Sequence, residues 1–76
     1  IIYPNPFGEV SNIEFNNKHS NTYTLYVYNL VGERIIKEDN ITNNRIRLER
    51  SELSPGTYFI ELVSASESLR AKVIIE

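Results

Sequence analysis

Residues 22–38 read TYTLYVYNLVGERIIKE, and this stretch predicts a β-hairpin. Between positions 22 and 28 every second side chain belongs to the same face, which is the period of a strand. Asn29 and Gly32 then hold the first and fourth positions of a turn, a pattern that favours a type I turn followed by a glycine in the left-handed region. The returning strand of the hairpin is predicted from Glu33 to Glu38.

The same alternation predicts further strands on both sides of this hairpin. After a lead-in segment, they lie around Ile13 and Phe15 and at Arg45–Glu49, Tyr58–Val63 and Leu69–Ile75. Clusters of Asn, Asp and Ser between them are typical of turns and loops. No helical period is longer than one turn, so the sequence predicts an all-β fold in which six or seven short strands form two antiparallel sheets packed as a sandwich.

Two local features are predicted between the strands that end at Glu49 and begin at Tyr58. Ser51 is placed to cap a single helical turn, which would bring Leu53 onto the open end of the core. The next four residues, Ser54-Pro55-Gly56-Thr57, have Pro in the second and Gly in the third position of a type II turn.

The composition limits the classes of function that the chain can have. Its 76 residues form one domain, and a net charge of −2 provides no field that would attract nucleic acid or an anionic membrane. With no cysteine and one histidine, the chain has neither a thiolate nucleophile nor a histidine-rich metal cluster. Its apolar runs are too short to cross a bilayer. We expect no cofactor, no metal, no nucleic-acid partner and no membrane insertion.

No group of residues has the pattern of a catalytic site. His19 lies in an Asn-rich loop without a nucleophile-elbow or zinc-protease motif, which predicts a solvated loop histidine. Glu14, Glu49 and Glu61 occupy outward strand positions, and a glycosidase pair would need a cleft that so short a chain can scarcely build. We therefore expect that the chain is not an enzyme.

Two surface patterns remain open as binding sites. Arg45, Arg47 and Arg50 could form a basic stripe beside tyrosines, although a charged strand that discourages edge pairing explains them more simply. The outward aromatic residues Tyr26, Tyr28 and Phe59 form a possible exposed aromatic face that could bind sugar or protein, with cross-strand packing as the plainer explanation.

Five short motifs give the chain a resemblance to a known family. They are Tyr3-Pro4-Asn5-Pro6-Phe7, Ile13-x-Phe15, Leu25-x-Val27-Tyr28-Asn29-Leu30-Val31-Gly32-Glu33, Leu53-Ser54-Pro55-Gly56-Thr57-Tyr58-Phe59-Ile60 and Lys72-Val73-Ile74-Ile75. In this order and spacing they resemble the type A C-terminal sorting domain of the type IX (Por) secretion system of Bacteroidota. The resemblance covers essentially all 76 residues.

The resemblance implies an Ig-like antiparallel β-sandwich of about seven strands at the C-terminus of a larger secreted protein. Such a domain carries its N-terminal cargo, already in the periplasm, to an outer-membrane translocon. A sortase-like cell-surface peptidase usually removes the domain there and joins the cargo to a surface anchor. We therefore expect periplasmic transit followed by secretion or surface display, a scissile bond at or upstream of Ile1, and no catalytic residue within 1–76.

The resemblance also implies which positions the translocon recognises. By motif match these are Gly32, Pro55, Gly56, Tyr58, Lys72, Val73, Ile74 and Ile75. Turn geometry explains both glycines without any partner, and alternation assigns Val73 and Ile75 to the core. Lys72 differs from them, because an outward lysine on a last strand has no evident role in folding.

Two other functions stay open at the level of the sequence. One is a small β-sandwich carbohydrate- or protein-binding module that uses the aromatic face, and the other is a structural spacer. An unpaired terminal strand would also permit weak self-association through its edge, which the charges of Arg45, Arg47 and Lys72 oppose.

Overall fold

A computed structural model describes all of residues 1–76, and it contains seven β-strands. In chain order they are β1 (Ile2–Tyr3), β2 (Val10–Glu14), β3 (Tyr23–Tyr28), β4 (Arg34–Ile41), β5 (Arg45–Glu49), β6 (Gly56–Val63) and β7 (Ser68–Ile75). Nothing in the structure qualifies as a membrane-crossing helix. The all-β prediction is confirmed.

The strands form two antiparallel sheets that pack face to face. One sheet has the order β1-β2-β5, and the other has the order β4-β3-β6-β7. Their inner faces meet in one core of 13 buried apolar residues. Thus the predicted sandwich is confirmed, and β1 and β7 are edge strands of their sheets.

Alternation of side chains decides which residues enter the core. On β3, Tyr23, Leu25 and Val27 are each 1% exposed, whereas the residues between them are half-buried on the outer face. Phe15 and Tyr23 meet edge to face, with their ring centroids 5.0 Å apart. Full burial of such a side chain stabilises the fold by about 1.5–3 kcal/mol, so the face assignment fixes the register of the strand.

The hairpin between β3 and β4 has the predicted turn. The N–H of Gly32 donates to the carbonyl of Asn29 at 3.1 Å, and Gly32 has φ 86°, as a type I turn with a left-handed glycine requires. The side-chain oxygen of Asn29 also accepts from the N–H groups of Val31 and Glu33. The turn is therefore held by its own side chain and needs no outside contact.

The second strand of the hairpin runs further than the sequence prediction. A loop was expected from Asp39 onward, but β4 continues to Ile41, which pairs with Tyr23 and is buried. Asn40 takes φ 61°, and the pairing register shifts between Tyr23 and Leu25. This bulge keeps the strand paired and turns Ile41 into the core.

The segment from Ser51 to Thr57 differs from prediction. Ser51 has φ 52°, and a single turn replaces the helical turn that Ser51 was expected to cap, with the N–H of Leu53 donating to Arg50. Leu53 still packs against the core. Gly56 was expected in a type II turn, but it has φ 153° and begins β6 opposite Ile75. A type II turn needs φ near +80° at that position, so this prediction was wrong.

The N-terminal segment is more structured than a lead-in. β1 pairs with β2, and Phe7 is buried at 1% exposure between the sheets. The Ser11 hydroxyl, also buried, donates to the carbonyl of Pro4 at 2.7 Å. Residues 1–7 are thus integral to the sandwich.

Candidate recognition groove

The outer face of the four-stranded sheet brings several of the sequence-predicted residues together. Tyr28 of β3 pairs with Phe59 of β6, and Phe59 pairs with Lys72 of β7. In the adjacent row, two residues further along the strands, Tyr26 pairs with Glu61 and Glu61 with Arg70. Residues opposite each other on neighbouring strands share a face, so aromatic and basic side chains stand side by side here.

These rows form the floor of a shallow groove of about 700 Å³. We call it the outer-face groove. The turn between β3 and β4 forms one wall. The lining residues are Tyr28, Asn29, Leu30, Gly32, Phe59, Ile60, Glu61, Arg70, Ala71 and Lys72. The groove therefore joins two of the motif positions, Gly32 and Lys72, which are distant in sequence.

Phe59 and Lys72 are the groove residues whose side chains contribute least to the packing and ion pairs of the fold. Phe59 lies on the solvent side of β6 and is 43% exposed, although it is a large apolar residue. Lys72 is exposed and forms no ion pair with any carboxylate of the chain. Aromatic residues are enriched in the cores of protein interfaces, so the exposed Phe59 ring is a candidate contact and Lys72 is a free charge beside it.

Glu61 organises the basic side of the groove. Its carboxylate accepts hydrogen bonds from Arg70 Nε at 2.9 Å, from Ser68 Oγ at 3.1 Å and from the Tyr28 hydroxyl at 3.2 Å. The Arg70 guanidinium in first place, with Ser68 and Tyr28 adding to it, holds the pKa of the Glu61 carboxyl below its usual range. Because a carboxylate that accepts several such bonds stays ionised, Arg70 is fixed and Lys72 is left as the free cation of the groove.

The tyrosines of the predicted aromatic face are partly covered. The Arg34 guanidinium lies over the Tyr26 ring, 4.1 Å from its centroid, and the Tyr26 and Tyr28 rings are 6.2 Å apart and tilted. A cation over a ring is a stabilising contact. It occupies the ring face of Tyr26 that a sugar would stack on, so Phe59 is the more open aromatic residue of the face.

A family model described as "Secretion system C-terminal sorting domain" matches residues 1–76, the whole chain. The chain belongs to this family. Comparison with curated proteins gave no match.

The function of the chain follows from its membership of this family. The chain is a sorting domain of the type IX secretion system, which directs secretion and implies contact with the machinery of that system. The prediction from the sequence motifs is confirmed. A sorting domain is in general not catalytic.

The remaining motif positions of the sorting domain lie away from the groove. Tyr58, Val73 and Ile75 are buried in the core, and the Tyr58 hydroxyl donates to the Ser54 carbonyl at 2.6 Å. Gly56 begins β6 and Pro55 directly precedes it, and both are exposed. Ile74 is half-buried on the outer row of β7. The structure therefore gives most of these positions a folding role, and it brings only Gly32 and Lys72 into the groove.

The other residues considered in the sequence do not converge. Arg45 and Arg47 lie on the three-stranded sheet, whereas Tyr26 and Tyr28 lie on the outer face of the four-stranded sheet. Arg45 binds Glu14, and Arg47 binds Glu49 at 3.3 Å. A basic stripe beside stacking tyrosines is therefore absent from the fold. Glu61 is likewise on the other sheet from Glu14 and Glu49, so no carboxylate pair forms across a cleft.

Sequence reasoning missed two residues that shape the terminal strand. The side chain of Asn5 binds the backbone of β7 at Lys72 and Ile74, and Phe7 forms a parallel bridge to Ile75. Asn5 and Phe7 belong to the first quoted motif, yet that motif was assigned only to a lead-in. The missed signal was the phenylalanine, since a large apolar residue between Pro6 and Gly8 has little reason to remain in solvent.

Proposed function

We propose that the sorting domain delivers an N-terminal cargo to the outer-membrane translocon by docking through the outer-face groove, with Phe59 and Lys72 as its main contacts. The cargo crosses from the periplasm to the cell surface, where a sortase-like peptidase cleaves upstream of the folded domain. The domain supplies recognition and no catalytic group.

The main observation that supports this proposal is that Phe59 and Lys72 are paired in one row of the sheet. The fold makes little use of either side chain, because Phe59 is outside the core and Lys72 has no ionic partner. An apolar ring supplies desolvation energy in an interface, and an adjacent cation selects an anionic or polar partner.

The turn beside the row supports the same surface. Leu30 is 68% exposed and lines the groove next to Gly32. Because the Asn29 side chain holds the turn, this apolar residue is presented on a rigid support, which lowers the entropy cost of docking.

The alternative, a carbohydrate- or protein-binding module centred on Tyr26, Tyr28 and Phe59, gains no support. Arg34 covers Tyr26, and the Tyr28 hydroxyl is bonded to Glu61. Stacking on Tyr26 would have to displace the Arg34 guanidinium first, which leaves Phe59 as the open ring of the three.

The experiment is an export assay with point variants. Residues 1–76 are fused behind a periplasm-targeted fluorescent protein in a host with the type IX system, beside a translocon-deficient strain. Phe59→Ser and Lys72→Glu are compared with Ile35→Ser and Lys18→Glu, exposed residues outside the groove. Point variants are preferable to removing residues 72–76, since that deletion takes buried Val73 and Ile75 from the core.

The expected result is surface fluorescence for the wild type and both controls, and periplasmic fluorescence for the two groove variants. The translocon-deficient strain should retain every fusion. Circular dichroism and urea unfolding of the purified variants check that they are folded. Normal export of folded Phe59→Ser and Lys72→Glu would overturn the proposal.

A further inference from the structure

The outer edge of β7 is covered over only half of its length. Along the last residues, the Phe7 N–H donates to the Ile74 carbonyl at 3.0 Å, and the Glu76 N–H donates to the Phe7 carbonyl at 2.8 Å. Asn5 continues this cover with its side chain. No strand lies beside the first part of β7, because β7 is the end of its sheet.

The uncovered part presents unpaired backbone groups. In an antiparallel ladder, alternate residues turn both their N–H and their C=O away from the neighbouring strand. Ile74 is such an outward residue, since both of its groups bind the N-terminal segment. Ser68 and Arg70 stand in the same register, and the N–H of Lys72 also faces outward. Unpaired groups of this kind are a template for another strand.

An apolar cleft lies directly behind the uncovered edge. It measures about 220 Å³ and opens between the two sheets, where Ile2, Ile13, Leu62, Leu69 and Ala71 line it. Leu69 and Val73 occupy the same inner face of β7, yet Leu69 is 37% exposed and Val73 is 1% exposed. The facing strand β1 is only two residues long, so the sandwich is left open at this side.

The half of the β7 edge that is covered by the N-terminal segment shows which contacts are missing from the uncovered half. There, the backbone of Phe7 pairs with β7 while its side chain fills the space between the sheets at 1% exposure. From Ser68 to Ala71 the edge and the apolar space are both present without an occupant. The geometry points to an added strand: an extended segment of another protein that pairs with Ser68–Lys72 and inserts an apolar side chain between Leu69 and Ile2.

The basic residues of β7 determine which side chains the added strand should present on its outer face. Every second side chain of an added strand lies on the outer face, beside Arg70 and Lys72. Lys72 has no carboxylate partner. Arg70 is paired with Glu61, but its side chain is 79% exposed. The occupant is therefore a strand that alternates apolar with acidic residues. A second copy of β7 would place like charges opposite these cations, which is unfavourable.

This surface goes beyond the proposed function, because it uses the edge and the interior of the sandwich instead of the outer-face groove. Lys72 is shared by both surfaces and is left unchanged in the test. Failure of the strand addition leaves Phe59-dependent export intact, and failure of export through the groove leaves binding at the edge intact.

The test uses the purified 76-residue chain labelled with ¹⁵N and a capped peptide EVEVEVE. We expect chemical-shift changes and slower amide exchange at Ser68–Lys72. N-methylation of the peptide at the residues whose N–H faces the edge should weaken binding about tenfold, the effect of losing hydrogen bonds worth ~1.4 kcal/mol in total. This probe leaves the protein unaltered.

A matched pair of variants tests the backbone contact from the protein side. Arg70→Ala and Arg70→Pro both lose the guanidinium, but only proline loses the outward N–H, and it removes no bond to β6. We expect Arg70→Pro to bind the peptide about tenfold more weakly than Arg70→Ala.

Three outcomes would overturn the inference. The first is an absence of shifts at Ser68–Lys72 at millimolar EVEVEVE, and the second is equal binding of KVKVKVK, which would remove the acidic requirement. The third is a concentration-dependent dimer that protects Ser68–Lys72 without peptide, which would assign the edge to a second copy of the chain.

Discussion

The side chain of Asn5 binds the backbone of Ile74, with the Ile74 N–H donating to Oδ1 at 2.9 Å. Asn5 Nδ2 donates in turn to the Lys72 carbonyl at 3.1 Å. The two bonds imitate a strand neighbour, so one asparagine near the start of the chain closes part of the edge of the last strand. The segment that leads into the domain is therefore hydrogen-bonded to the last strand at Lys72 and Ile74.

Replacement of Asn5 tests this connection. Asn5→Ala should lower the free energy of unfolding by about 1 kcal/mol, because two hydrogen bonds are lost at a site where water can replace part of them. Urea unfolding measures the change, and Asn43→Ala, in an exposed loop and without a side-chain bond, is the control. Equal midpoints for the two variants would show that Asn5 does not hold the edge.

Truncation of Phe7 should lower the stability of the fold far more than truncation of Phe59. Phe7→Ala should cost about 3–5 kcal/mol, since it empties a site between the sheets that is 1% exposed. Phe59→Ala should cost less than about 1 kcal/mol, because the ring is on the surface. Thermal unfolding of both variants checks this contrast, and a large loss of stability for Phe59→Ala would show that Phe59 serves the core and not the proposed contact surface.

Gly56 needs its glycine for a reason of backbone geometry. With φ 153° it adopts a conformation that side chains rarely take, although open space surrounds it. Gly56→Ala should therefore destabilise the fold by about 1–3 kcal/mol. Gly8→Ala, which also meets no atom and has no such φ, should stay within about 0.5 kcal/mol of the wild type. The denaturant midpoints of the two variants measure this difference. A Gly56→Ala variant as stable as the wild type would show that a side chain is not strained at this position.

Glu61 should give the domain part of its acid sensitivity. Arg70 first, then Ser68 and Tyr28, lower the pKa of the Glu61 carboxyl below its ordinary value of 4.5. The folded state then holds fewer protons than the unfolded state, so this stabilisation is complete above about pH 4.5 and is lost as the pH falls through the folded-state pKa.

Glu61→Gln should consequently be less stable than the wild type at pH 7, and the difference should shrink on acidification to pH 3. Urea titrations at the two pH values measure it. Glu52→Gln is the control, because Glu52 is exposed and has no ion pair. A constant difference at both pH values would mean that the Glu61 charge does not contribute.

The success of the fold prediction is uneven for a physical reason. The β3–β4 turn was predictable because Asn29 and Gly32 determine it within four residues, and the core face of β3 followed from alternation. The extension of β4 to Ile41 and the start of β6 at Gly56 were not, because both depend on partners in other strands, Tyr23 and Ile75.

The candidate site was half visible in the sequence. Lys72 and Phe59 stood out as outward residues, and the motifs indicated the family that the chain belongs to. Their meeting with the Gly32 turn in one groove was not visible, since it requires the pairing of β3 with β6 and of β6 with β7.

By itself the sequence determined the all-β class, the hairpin turn, the inward faces and the family, because these depend on residue type and on spacing along the chain. Only the tertiary structure decided which half of β7 is covered and which is open. Asn5 and Ile74 are 69 positions apart, and whether they meet depends on how the two sheets pack and on the register of every strand between them. Local periodicity contains no information about such a contact, because it reports the direction of a side chain and not the strand that lies beside it.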